Sequence, residues 1–192
     1  VKNPTVMPAQ PRVSRYHPLL VAMHWLLAAL ILVALAYGSF VLDDLPNSDP
    51  GKIAFLQVHM AAGIVILVLM AIRFVVRMST ARPAYLTTGN PLLDRLAPVA
   101  YYGFYVLVLL MVGTGLATAL LARLNRIVFQ HSGEPLPPNF DAYPSFLAHS
   151  ILAAALAGLI VLHAVMALYH EFIIEDGIFR RMSIGPRNSP RR

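Results

Sequence analysis

Four histidines, His24, His59, His149 and His163, lie inside long apolar stretches of the chain. An ionisable ring in a membrane core is costly, so four of them call for a reason. His149 and His163 stand fourteen residues apart on one apolar segment. On a helix that is a rise of ~21 Å with only ~40° of rotation, one face at two depths. His24 falls early in the first apolar segment and His59 early in the second. If successive segments cross in alternating directions, His24 lies level with His163, and His59 level with His149. Two facing imidazoles at one depth can fill both axial positions of a haem iron. A six-coordinate iron has no open position, which favours electron transfer over oxygen binding, with axial ligands and surroundings setting the potential. Two such irons, one near each face, would carry electrons across a bilayer. A zinc or copper centre would need ligands converging on one point, whereas these separate into two levels. No residue is assigned a catalytic acid, base or nucleophile role.

The elements that must position these rings are legible from the charges. The chain is 58% hydrophobic and 12% charged over 192 residues, too apolar for an ordinary soluble domain. No Lys, Arg, Asp or Glu lies between Arg15 and Asp43, Lys52 and Arg73, Arg95 and Arg123, or Asp141 and Glu171; these gaps hold 27, 20, 27 and 29 residues. Each meets the length of roughly 20 apolar residues that a spanning helix requires. Backbone groups in lipid must bond within the segment, which makes each gap a helix. The short alternating segments of a membrane barrel are not visible. The expected fold is all-α, an integral membrane four-helix bundle with helices over about 18–42, 52–78, 92–124 and 145–174. Residues 1–15 read as a flexible arm, 16–178 as the transmembrane domain and 179–192 as a basic tail.

The net charge of +6 does not indicate nucleic acid, because the basic residues flank the spans. Positive-inside reasoning puts both termini and the second loop in the cytoplasm, in agreement with an even number of spans. The absence of cysteine excludes disulfides, cysteine-ligated clusters and covalent c-type haem. The first apolar run is too long for a signal peptide. The chain opens at Val1, and Met7 or a non-standard start codon are both open as its beginning.

Several neighbours of the histidines have two readings. Gly63, with Ala61 and Ala62, follows His59, and Ala153–Ala155, Ala157 and Gly158 lie on helix four. They could form the shallow walls of a flat macrocycle, or serve ordinary close helix packing. Arg73 and Arg77 could pair with haem propionates, or snorkel to the interface. Lys52 could serve outer propionates, or be a solvated loop charge. His17 and His170 lie seven residues beyond His24 and His163 toward the cytoplasmic side. They could line a quinone site, since imidazole titrates near neutral pH, or be interfacial polar residues. His131 falls in the long third loop, which could lie as a lid over the outer face.

Arg15-Tyr16-His17 through His24-Trp25, His59 through Gly63 to Arg73, and His149, His163, His170 and Asp176 through Arg181-Met182 together resemble the bacterial cytochrome b561 family. The resemblance runs from Arg15 to Met182. It implies a di-haem b carrier of the bacterial inner membrane, with two non-covalent haems held by His24 with His163 and by His59 with His149. Gly63 and Arg73 are the further cofactor-binding candidates. It also implies an oxidoreductase or carrier role, superoxide oxidation at the periplasmic side coupled to quinone reduction being one activity of the family. The partners implied are membrane lipid, a quinone, an unidentified donor and a possible redox protein, with no nucleic acid. Two departures touch donor and quinone chemistry rather than the ligands. Ser150 stands where a larger polar residue is common, and His170-Glu171 where two histidines are common. Two alternatives stay open: a cytochrome b anchor of a larger dehydrogenase or hydrogenase, and a haem-free transporter with proton-relay histidines.

Overall fold

Proline opens three of the four long helices, where its missing N–H is no loss and its fixed φ favours the first turn. The computed structural model describes residues 13–84 and 88–185. The amino-terminal arm up to residue 12, residues 85–87 of the second loop and the tail beyond residue 185 lie outside the described residues. Helix α1 spans Pro18–Tyr37 and continues as a wider π-helical turn, Gly38–Leu42. Its amino terminus is capped by His17, whose Nδ1 accepts the Leu19 N–H at 3.2 Å. Helix α2 spans Lys52–Ser79. Helix α3 spans Pro91–Leu121, capped by Asn90, whose Oδ1 accepts the Leu92 N–H at 2.9 Å. Helix α4 spans Pro144–Tyr169 and runs on as a π turn, His170–Ile174. A short α5, Ile178–Arg181, follows. The described residues contain no strand. The fold is all-helical, and four helices are long and apolar enough to cross a membrane: Pro18–Leu42, Lys52–Ser79, Pro91–Leu121 and Pro144–Ile174.

One boundary differs from the sequence expectation. Helix α3 stops at Leu121 instead of running to 124, because Arg123 takes a left-handed conformation (φ 52°) that breaks the ladder. A π turn, Asn125–Phe129, then occupies what reads as loop. The fourth span ends at Ile174, as expected, where Glu175 (φ 56°) and then Gly177 (φ 67°) take left-handed conformations.

The helices pack as two antiparallel pairs. Helix α1 lies along α2, and α3 lies along α4 more extensively still. Between the pairs, α2 touches α3, while α4 approaches α1 and α2 only sparsely. Lipid-facing positions such as Val33, Val75, Val99, Leu109 and Val161 are exposed, as apolar side chains facing lipid should be. With lipid as apolar as the helix surface, such a bundle is held by packing and polar contacts rather than by the hydrophobic effect between helices. Two apolar clusters result. One, at the end of the loop 43–51, joins Leu56, Ala119, Ala122, Leu124, Ile127, Val128 and Leu136; the other joins Leu27, Ile66, Met70, Val108 and Leu156 in the middle. Leu136, from the third loop, is only 9% exposed, and Asn47 Nδ2 donates to the Pro137 carbonyl at 2.7 Å. That loop is therefore packed down over its end of the bundle.

The opposite end is tied by the segments that flank the first and last spans. The Tyr16 N–H donates to the Arg181 carbonyl at 3.2 Å. Trp25 Nε1 donates to the Met182 carbonyl at 3.0 Å. Arg15 reaches Ser183 Oγ at 2.9 Å and the Ile184 carbonyl at 3.3 Å. Arg181 reaches the Ala84 carbonyl at 2.5 Å.

Candidate functional site

Both histidine pairs meet across the gap between the helix pairs. The His24 and His163 ring centres are 6.2 Å apart and the ring planes 71° apart. The His59 and His149 ring centres are likewise 6.2 Å apart, at 77°. No hydrogen bond joins the two rings of either pair. A metal held between opposed imidazoles at ~2.0–2.1 Å from each nitrogen sets the ring centres about 6.4 Å apart. Both tiers have that separation, and they have it where α4 stands off from α1 and α2. A flat cofactor gripped through its centre needs this combination of open gap and facing rings.

The outer tier, nearer the loop 43–51, is shaped by glycine. A Cβ on Gly38 would sit 3.3 Å from His59 Cε1, and one on Gly115 would sit 3.2 Å from His149 Cε1 and 3.3 Å from its Nδ1. Side chains there would push either ring. His149 Nδ1 is 2.9 Å from the Met111 carbonyl and 3.4 Å from Thr114 Oγ1. Donation to that carbonyl fixes the tautomer and leaves Nε2 as a free ligand nitrogen, as ligating histidines commonly arrange. His59 Nδ1 is buried with no hydrogen-bond partner.

The inner tier is flanked by aromatic and cationic groups instead. His24 packs edge-on to Trp25 at 5.2 Å, and His163 to Phe104 at 5.4 Å. Arg73 Nη1 donates to the Leu20 carbonyl at 2.6 Å. Arg77 is 9% exposed, its guanidinium 3.8 Å from the centre of the Tyr101 ring. It is thus packed inside the bundle and does not snorkel.

Lys52 is corrected in the same way. It is 5% exposed, the first residue of α2 and no solvated loop charge; its ammonium donates to the Leu45 carbonyl and lies 5.8 Å from the Phe140 ring centre. His170 Nδ1 pairs with Asp176 Oδ2 at 2.5 Å, and His17 caps α1; both have structural partners of their own. Gly63 has open space where a Cβ would project. His131 is exposed and takes a left-handed conformation (φ 50°). Between α1 and the carboxy-terminal segment lies an apolar cleft of about 550 Å³, lined by Val21, Trp25, Phe179, Met182, Ser183 and Ile184.

Sequence reasoning passed over Gly38, although it lies fourteen residues beyond His24 and therefore on the same face of α1 at the other depth. The same arithmetic that pairs His149 with His163 would have found it. Gly115, Met111 and Thr114 had no such signal, because α3 carries no histidine to mark its inward face.

Comparison with known proteins points the same way. The family model described as prokaryotic cytochrome b561 matches residues 15–185. A relative named "Probable superoxide oxidase CybB", from Yersinia pestis, is 29% identical over 175 residues, covering 88% of this chain and 96% of the relative.

Proposed function

The chain belongs to the prokaryotic cytochrome b561 family, and from that premise we propose that it is a two-haem electron carrier whose iron ligands are His24 with His163 and His59 with His149. Membership makes it a haem-b-binding, multi-pass bacterial membrane protein of electron transfer. The finer reading is carried by one observation: two ring pairs, each at 6.2 Å, standing across a gap between helix pairs. When bound, haem b supplies a one-electron centre, and one in each tier would link the two faces of the bilayer.

The chain's own residues do the rest. The paired imidazoles, His24 with His163 and His59 with His149, would hold one cofactor in each tier. The Met111 carbonyl orients His149. Gly38 and Gly115 hold back from the outer rings, and Gly63 offers a wall without a side chain. Arg73 belongs to the inner cofactor's surroundings. The proposed orientation has both termini and the second loop in the cytoplasm of a cell whose inner membrane the bundle spans. Residues 16–178 form the functional unit. The outer tier then faces the periplasmic donor, for which superoxide is the first candidate in view of the relative's name. The acceptor is a membrane quinone, and the apolar cleft beside Trp25 and Met182 is a site of suitable size and polarity for it.

Purified protein tests the reading directly. Pyridine haemochrome analysis should return two haem b per chain. Anaerobic mixing with a panel of donors, superoxide among them, should reduce the haems, and added ubiquinone should reoxidise them. One haem per chain or none would defeat the two-tier assignment. Two haems with no quinone reoxidation would defeat the acceptor alone.

A further inference from the structure

Helices α2 and α3 each present an i, i+4 pair to the other at the inner tier: Arg73 and Arg77 on α2, Tyr101 and Tyr105 on α3. The Arg77 guanidinium covers the Tyr101 ring at 3.8 Å. Tyr101 and Tyr105 meet edge-on at 5.2 Å, and Phe74 closes on Tyr105 at 5.5 Å. Arg77 is nine-tenths buried. Neither arginine has a carboxylate partner among the described residues, whose ion pairs are Arg126–Glu134 and His170–Asp176. Arg73 spends one N–H on the Leu20 carbonyl, out of the five that a guanidinium offers. The Tyr105 hydroxyl is buried and lies within hydrogen-bonding reach of Arg73 and Tyr101.

Two permanent cations, one of them nine-tenths buried, with a buried hydroxyl between the same helices and no carboxylate partner among the described residues, form an incomplete arrangement. Buried charges are retained where they are paired. The missing partner must be anionic, planar enough for a guanidinium fork, and able to accept from a phenol. It must also arrive from outside the chain. Arg73 binds the Leu20 carbonyl, one turn before His24 on α1, so the anion belongs beside the inner tier.

We propose that Arg73, Arg77 and the Tyr105 hydroxyl form a carboxylate-binding pocket that takes the propionates of the inner haem. The outer rings have a carbonyl, a threonine hydroxyl and two glycines about them. Charge is therefore unevenly divided between the tiers. Cations beside a haem disfavour its oxidised, more positive state. The inner tier is consequently the electron sink, and transfer runs from the outer tier inward. The proposal rests on the two-tier reading and adds to it a ligand group and a physical cause for the direction.

The test uses apo-protein reconstituted with haem b or with its dimethyl ester, which has no free carboxylates, together with redox titration of the native holoprotein. On the unmodified chain, the ester should occupy the inner tier at least about tenfold more weakly than haem b, as loss of charge-assisted bonds implies. Arg73→Gln should abolish that preference and lower one midpoint potential by about a tenfold shift in its equilibrium, ~59 mV, while leaving the other in place. Arg73→Lys should restore part of both effects, and Tyr105→Phe should weaken the preference. If Arg73→Gln does not fold, the ester comparison on the unmodified chain decides alone. Equal uptake of ester and acid there would overturn the pocket. So would unchanged potentials in a folded Arg73→Gln protein. Either result leaves the two-tier reading standing if His163→Ala still loses one haem. Loss of no haem in His163→Ala would bring down both.

Discussion

The two tiers use the same pair of residues and the same separation, yet they are built on different principles. At the outer tier the chain withdraws: Gly38 and Gly115 leave the rings of His59 and His149 no Cβ to meet, and the third loop is packed over the end with Leu136 and Val128 buried. At the inner tier the chain crowds in with Trp25, Phe104, Arg73 and Arg77. The outer site is specified by shape and the inner one by charge. A shared pair of imidazoles, therefore, does not make two sites equivalent. What surrounds each ring pair decides how tightly a cofactor sits and how readily it holds an electron.

The largest test of that contrast removes a ligand from one tier at a time. His163→Ala should lower haem content from two per chain to one and leave the spectrum of the other haem intact. His59→Ala should do the reverse. Loss of both haems in either variant would mean that the tiers are a single cooperative site.

Next comes shape. Gly115→Val places a branched side chain where even a Cβ would stand 3.2 Å from His149. Outer haem retention after size-exclusion chromatography should fall several-fold, with the inner haem unaffected. A variant that keeps both haems would show that α3 shifts easily and that the glycine is not required there.

Smaller effects report on the scaffold. Thr118 is 6% exposed and its hydroxyl donates to Ser145 Oγ at 2.8 Å, joining α3 to α4 at the outer end. Thr118→Val should cost about 1 kcal/mol of stability, read as reduced resistance to denaturant in mixed micelles. At the other end, Trp25→Phe deletes the bond to the Met182 carbonyl. It should loosen the carboxy-terminal segment by a similar ~1 kcal/mol, visible as faster proteolysis there. The smallest effect belongs to the exposed Arg126–Glu134 pair at 3.3 Å. Glu134→Gln should change stability by less than about 1 kcal/mol, and a larger loss would mean that the third loop is a stronger structural element than its exposure suggests.

The four spans were legible because charge is excluded from lipid, so gaps between charged residues mark them almost directly. The levels of the histidines followed from helical rise and rotation. What escaped was whatever depends on how helices meet. Lys52 reads as a loop charge, since nothing local reveals that Phe140, nearly ninety positions away, comes to cover it. Arg77 reads as interfacial until α3 brings Tyr101 over it. The break at Arg123 and the π turns that start at Asn125 and His170 carry no strong breaker residue at their start, because their width and hand are imposed by packing. Gly38 is the instructive exception, readable by arithmetic and overlooked because glycine carries no chemistry of its own.

Helix α4 contributes a ring to each pair, while α1 and α2 contribute one apiece. Neither grip can close before the last span has entered the bilayer. Under the proposed ligation, a ribosome-bound chain still lacking Pro144–Tyr169 offers only single imidazoles, so cofactor loading would wait for that segment. Premature termination upstream of that segment should then yield a chain unable to trap any haem.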